Sequence, residues 1–467
     1  MKLHRILPII SLAVLIAAGS SCSATRECKP ADVPVPAELT GRRDSASVAD
    51  IRWWTFYTDS TLCRLIRLTL DNNRDFMGAA ATVRQMKALY GAAKAELLPT
   101  ITANAYANRE TNHYKDEKFV GDPEMGVKAY LSWEADLWGN LRWGKRKGQA
   151  AYQASVEDWR AMKITLISET ASAYFNLVAL DNELSIVKRT LETRKEELAK
   201  AKLRYEGGLT SEITYLQAQV EYNTAASLLP VVEKRIETTQ NAIALLIGAL
   251  PGTEIKRDAN ALKTPLPETV PVGIPSELLQ RRPDLRASAA QLAQATAAVG
   301  VAHTDRFPKL TLTLTGGVEN NAFANLFESP FYFMAGSFAG PLLDFGRRQK
   351  KYKAAVAAYD KARYAYEQKV LAAFGETANA ITGYAKAREI NTKRTALKDA
   401  ARKYMDLAHL QYAGGSISYL GVLDAQRRYL DAEISQSNAA RDEMLALVQL
   451  YKSLGGGWNV ADTIPEK

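Results

Sequence analysis

Asp136-Leu137-Trp138-Gly139 is answered later in the chain by Leu343-Asp344-Phe345-Gly346, and the two closing glycines stand 207 positions apart. The same offset relates Glu169-Thr170 to Glu376-Thr377, Tyr205 to Tyr412, Gly207-Gly208 to Gly414-Gly415, Leu216 to Leu423, Ala218-Gln219 to Ala425-Gln426 and Tyr222 to Tyr429. Upstream it becomes 209, relating Asp75 to Asp284 and Pro99 to Pro308. A slip of two residues is what unequal strands or loops produce. The chain is therefore a tandem duplication, and any fold proposed for one half must also serve the other.

Each half has the same order of elements. A helix-like run (about Thr61 to Glu96, and Pro275 to Arg306) leads into strand-like segments and then into very long helical stretches. The segment from Pro251 to Pro275 carries five prolines and reads as an extended connector. The chain thus divides into an export signal at 1–21, an anchored tether at 22–50 and a first repeat at 51–250, with strands near 100–112 and 127–137. The connector at 251–275 follows, then a second repeat at 276–454, with strands near 309–318 and 331–341, and a tail at 455–467.

The strand segments alternate. Ile101, Ala103, Ala105 and Ala107 interleave with Thr100, Thr102, Asn104, Tyr106 and Asn108. Val127, Ala129, Leu131, Trp133, Ala135 and Leu137 interleave with Lys128, Tyr130, Ser132, Glu134 and Asp136, and Leu310, Leu312 and Leu314 with Thr311, Thr313 and Thr315. The fourth segment, Phe331 to Pro341, is aromatic and alternates poorly. Each approaches the 9–11 residues of a tilted membrane strand, although a half-buried soluble sheet has the same period.

The helical stretches weigh against a compact domain. Lys145 to Tyr205 and Arg347 to Tyr412 contain no proline, and about 60 residues at about 1.5 Å each give a rod of about 90 Å that must pack along its side. Leu177, Leu180, Leu184, Val187 and Leu191 trace one seam in 3-4 spacing, and Ile164, Ile167, Ala171, Tyr174 and Val178 trace a second. Two adjacent seams suit a closed ring of helices, with a simple coiled-coil bundle as the alternative. The rods stop at Gly207-Gly208 and Gly414-Gly415, each read as the turn of a helical hairpin whose return runs from Glu212 to Ile247 or from Ser418 to Leu454.

Lys2, His4 and Arg5 precede an apolar run from Ile6 to Ala18 and small residues up to Cys22, the layout of a cleaved export signal. Gly19-Ser20-Ser21-Cys22 resembles a bacterial lipoprotein processing site, with Gly19 where Leu is commoner. Cys22 is therefore the candidate for lipidation; an ordinary signal with an incidental cysteine is the alternative. Cys28 and Cys63 form no CxxC and are not expected to pair. Later segments contain no 18-residue apolar run, so a membrane crossing would have to use strands. The net charge of +9 is spread along the chain without aromatic interleaving, which argues against nucleic acid. His4, His113, His303 and His409 lack metal-ligand spacing, and no GxSxG, P-loop or HExxH appears. No enzyme, metal or cofactor is expected. Arg281-Arg282-Pro283-Asp284 reads as a helix start.

Leu97-Leu98-Pro99 and Phe307-Pro308 ahead of strands, Asp344-Phe345-Gly346-Arg347, Tyr419 to Arg427 and Leu450 to Trp458 form an ordered set. With the duplication, this set resembles the TolC-type outer-membrane efflux factors, particularly their lipoprotein branch. The resemblance implies a mainly α protein with a membrane β-barrel. It would be a homotrimer giving four strands per chain to a twelve-stranded barrel continued by a periplasmic α-helical barrel. It also implies a periplasmic adaptor protein and an inner-membrane efflux transporter as partners, and small molecules as cargo. A type I protein-secretion duct and a non-channel periplasmic coiled-coil lipoprotein are the alternatives. Relatives commonly carry an Asp a few residues past each hairpin glycine, and here Thr214 and Gly421 stand at those positions, with Ile417 where a basic residue can occur. Asp424 is the acidic group left nearby. The candidate gate residues are accordingly Leu209, Thr214, Tyr412, Ile417, Tyr419 and Asp424, with Gly207, Gly208, Gly414 and Gly415 as candidate adaptor contacts.

Overall fold

The computed structural model describes residues 24–41, 44, 46–112, 120–340, 342–459, 461, 462 and 464. The segment expected to be an export signal, 1–21, the lipidation candidate Cys22, and His113 lie outside the described residues. In chain order the main elements are α1 (Ser60–Asn72), α2 (Arg74–Ala95), β1 (Thr100–Asn112), β2 (Val120–Ala135), α3 (Asn140–Glu206) and α4 (Glu212–Leu246). The second half supplies α5 (Pro283–Thr304), β3 (Lys309–Asn320), β4 (Pro330–Ala339), α6 (Arg347–Ala413) and α7 (Tyr419–Ser453). The duplication is closest in the long helices: α3 and α6 have 67 residues each and α4 and α7 35 each, whereas the 13-residue α1 is matched only by short helical turns at Pro275–Glu277 and Leu278–Arg281.

The expected run from Thr61 to Glu96 is two helices, because Asn73 turns extended after α1 and its side chain then caps α2, accepting from the Phe76 N–H at 3.0 Å. The expected run from Pro275 to Arg306 breaks at the matching place. Pro283 cannot follow a helical residue comfortably, and Arg282 is extended at ψ 114°. These short-range conflicts were hidden by the longer apolar pattern.

The chain forms two compact units that each draw on both repeats. The first comprises residues up to Asp32, Thr82–Val156 and Ala287–Gln368. It holds one antiparallel sheet in the order β1-β2-β3-β4, so β1 and β4 are both edges. Where α3 meets α5, Trp143 lies against Gly300, where an added Cβ would come within 2.2 Å of the indole. Residues 24–32 also belong to this unit. Ala24 packs on Trp143 and Ala297, and the Tyr359 hydroxyl donates to the Lys29 carbonyl.

The second unit comprises Val33–Ala81, Glu157–Arg286 and Lys369–Lys467. The first apolar line is buried at Leu177, Leu180 and Val187 and half-buried at Leu184 and Leu191; the second is buried throughout. Tyr174, fully buried, donates its hydroxyl to Asp59, which also caps α1 through the Thr61 N–H at 2.7 Å. The hairpin turns match bond for bond. The Gly208 and Leu209 amides donate to Tyr205 and Arg204 carbonyls at 2.9 and 2.8 Å; Gly415 and Ser416 donate to Tyr412 and Gln411 at 3.0 and 2.8 Å. Gly208 and Gly415 stand at φ 70° and 75°, the left-handed conformation such a cap requires.

Candidate channel wall and helical tip

Strand pairing fixes which residues share a face. Ile101 pairs with Leu131, Leu131 with Leu314, and Leu314 with Met334. Thr100 pairs with Ser132, Ser132 with Thr313, and Thr313 with Ala335. A water-soluble sheet would cover its apolar face. Here that face is open, with Ile101 71%, Met334 77% and Tyr332 87% exposed, and the polar face is open as well at Thr100, Asn104 and Ser132. Trp133, on the apolar face near the helix-connected end, donates its indole N–H to the Leu97 carbonyl at 3.1 Å, as an interfacial aromatic does. No helix among the described residues is long and apolar enough to span a membrane. A sheet that leaves one apolar and one polar face both uncovered by its own chain is what lipid on one side and water on the other select.

The hairpin ends bring some candidate residues together. A cavity of about 370 Å³ is lined by Thr214, Tyr412 and Tyr419 together with Glu197 and His409. The Tyr412 and Tyr419 rings lie 5.7 Å apart. Burial, with the Glu197 carboxylate nearby, pushes the Tyr419 phenol up to about 12. Ile417 is half-buried beside the place where a Gly421 side chain would start, at 3.3 Å. Leu209 is 74% exposed. Asp424 is paired with Arg428 at 2.8 Å, which holds its carboxyl below the ordinary range.

Close by, the structure holds a charged network that local sequence patterns did not announce. Arg194, buried, bonds to Gln426 and reaches Glu221 and Glu197, both at 3.3 Å. Gln426 donates to Glu197 at 2.5 Å and lies 3.0 Å from the His409 ring nitrogen, while Arg427 pairs with Glu221. All four long helices are tied at this network. The signal was present: Arg194 falls three residues after Leu191, the next place on the first apolar seam, where a charge requires partners. The duplication gave no help, because Gln219, the counterpart of Gln426, is exposed.

A second hub lies at the break before α5. Arg282 grips Asp284 through two bonds of 3.1 and 2.9 Å, Glu376 at 2.8 Å and the Ser453 carbonyl at 3.2 Å. Burial opposes its charge and the two carboxylates outweigh it, so the guanidinium pKa is raised and that of Asp284 is lowered. The residues read as a helix start thus also join α5, α6 and the end of α7.

Four strands with an exposed apolar face and two long helical hairpins are the parts of a membrane channel protein. The outer membrane efflux protein family model matches residues 65–249 and 274–456. The chain is 31% identical to the pyoverdine export outer membrane protein OpmQ of Pseudomonas putida KT2440, over 88% of this chain and 89% of the relative. It is 30% identical to the solvent efflux pump outer membrane protein SrpC of Pseudomonas putida, over 97% and 98%. Among solved structures it superposes on the outer-membrane channel OprN with a TM-score of 0.85, at 28% identity over 92% of this chain and 98% of that one. The open state of the Neisseria gonorrhoeae MtrE channel gives 0.83 at 26% identity, over 92% and 97%. The chain belongs to the outer membrane efflux protein family, and its place is the outer membrane.

Proposed function

We propose that three copies of this chain close their sheets into one twelve-stranded barrel, continued by a helical tunnel, and that the assembly is the passive exit duct of a tripartite efflux system. The carrying observation is the sheet with two free edges and an exposed apolar face. Unpaired backbone cannot face hydrocarbon, and four strands cannot close a barrel, for which eight is the usual minimum. Oligomerisation follows from that. The choice of three copies rests on the family resemblance.

On this reading Cys22 carries the lipid, and 22–50 is a tether that leads into repeats at 51–250 and 276–454 joined by 251–275. The helical hairpins reach a periplasmic adaptor protein that connects the duct to an inner-membrane transporter, with Gly207, Gly208, Gly414 and Gly415 at the contact. Leu209, Thr214, Tyr412, Ile417 and Tyr419 close the tip by apolar and hydrogen-bonding contacts, with Asp424 the acidic group remaining beside them. An apolar constriction closes a pore by dewetting it. The pyoverdine and solvent named in two relatives support small molecules as cargo.

The test is purification of the full chain from outer membranes, electrophoresis with and without boiling, and reconstitution in a planar bilayer. A boiling-sensitive trimer that conducts is the expected result. A periplasmic coiled-coil scaffold conducts nothing.

A further inference from the structure

The polar face of the sheet is hydrophilic on three strands and breaks that rule on β4. Phe331 pairs with Gly317 and Phe333 with Thr315, which in turn pair with Lys128 and Tyr130, so both phenylalanines stand on the face of Lys128 and Tyr130. Lipid accounts for Tyr332, Met334 and Phe338 on the other face of β4; it accounts for neither of these rings. Phe333 is 61% exposed.

A charged cluster adjoins the rings. The Lys128 ammonium lies 5.5 Å from the centre of the Phe331 ring and 4.4 Å from that of Tyr106. It pairs with Glu319 at 2.7 Å and Glu124 at 3.9 Å, and the Tyr106 hydroxyl donates to the same carboxylates at 3.1 and 2.9 Å. Two carboxylates face one ammonium, so the cluster carries an excess negative charge, and both carboxylates are open to solvent, Glu124 at 53% and Glu319 at 41% exposure. Gly317 sits between Lys128 and Phe331 in the same row and leaves the floor there bare; a Cβ would come within 2.3 Å of the Val127 carbonyl.

We propose that this patch binds aromatic cations on their way through the barrel, the flat body lying on Phe331 and Phe333 and the positive charge turned toward Glu124 and Glu319. The proposal rests on the duct reading, which makes the polar face the lumen wall. Charge complementarity selects a cation over an anion, and the negative faces of the rings favour the same choice. Lys128 is already held by two carboxylates and leaves their surplus unanswered. Three copies would set three such patches around the lumen, near the end of the sheet remote from the helices, so the duct wall contributes its own preference to what passes.

The test uses the full chain in a planar bilayer, with N-methylquinolinium, a flat aromatic cation, added from the side of the strand loops, and reads the reduction of open-channel current. Replacing both rings, Phe331→Leu with Phe333→Leu, keeps apolar volume and removes the aromatic faces. The half-blocking concentration should rise about tenfold, the factor that corresponds to about 1.4 kcal/mol. Glu124→Gln with Glu319→Gln should shift it in the same direction, and naphthalenesulfonate, a flat anion, should leave the wild-type current intact. Block that is indifferent to both double variants, or equal block by the anion, overturns the inference while the duct reading stands. A chain that never conducts removes the duct reading and this inference with it.

Discussion

An arginine on the wrong face of the sheet gives the strongest test of which side meets lipid and which meets water. Leu314 sits in the middle of β3, between Leu131 and Met334 on the apolar face, while Thr313 next to it lies between Ser132 and Ala335 on the polar one. Arginine at the midplane of a lipid-facing strand costs about 2–4 kcal/mol. In a trimer the cost recurs in each copy, so Leu314→Arg should destabilise the assembly by roughly 6–12 kcal/mol, three times the single-site figure. Thr313→Arg enters water between two small neighbours and should stay within about 0.5 kcal/mol per copy, the usual range for a surface change. Denaturant unfolding of the protein in liposomes, with electrophoresis of unboiled outer-membrane fractions, reads both. Similar losses in the two variants would refute the assignment of faces and favour a sheet buried in protein.

Cys22→Ala should abolish lipid labelling and leave the precursor unprocessed, whereas Cys28→Ala should change neither; normal labelling in the first variant would end the anchor assignment. Arg282→Met leaves Asp284, Glu376 and the Ser453 carbonyl without their shared partner and should cost about 3–5 kcal/mol in thermal or denaturant unfolding. Because Asp284 is depressed in the folded state, its stabilisation is present above the unfolded value of about 3.9 and is lost as pH falls through the folded one. That acid-limb loss should be visible in wild type and shallower in Arg282→Met; parallel acid limbs would show that the pair is not responsible. Ile417→Asp would bring three carboxylates to the tip and should raise cation selectivity in bilayer recordings, with unchanged selectivity and conductance placing Ile417 away from the aperture.

The duplicated architecture was legible because its signals are long. Sixty-residue helices without proline and period-two strands repeat a physical constraint many times, and glycine pairs mark both turns. Short signals were lost inside them. Asn73 and Pro283 each end a helix within one residue, against an apolar pattern that continues across the break. Of the tip candidates, Thr214, Tyr412 and Tyr419 share one cavity, which Leu209, Ile417 and Asp424 do not line. The Arg194 network escaped because its partners come from four helices and local spacing cannot report who meets whom. β4 alternates weakly for a chemical reason: it carries Phe331 and Phe333 on the face where the paired strands carry Gly317 and Lys128, and Thr315 and Tyr130.

The two free edges of the sheet also govern how the protein comes to exist. Until β1 and β4 find other copies, each chain presents a row of unpaired backbone groups beside Ile101, Tyr332, Met334 and Phe338. Such a surface neither inserts alone into lipid nor rests safely in water. On the trimeric-duct reading, insertion waits on encounter, and its rate should climb more than linearly with the amount of newly exported chain. On the trimeric-duct reading, a modest fall in expression should therefore remove more finished ducts than it removes polypeptide.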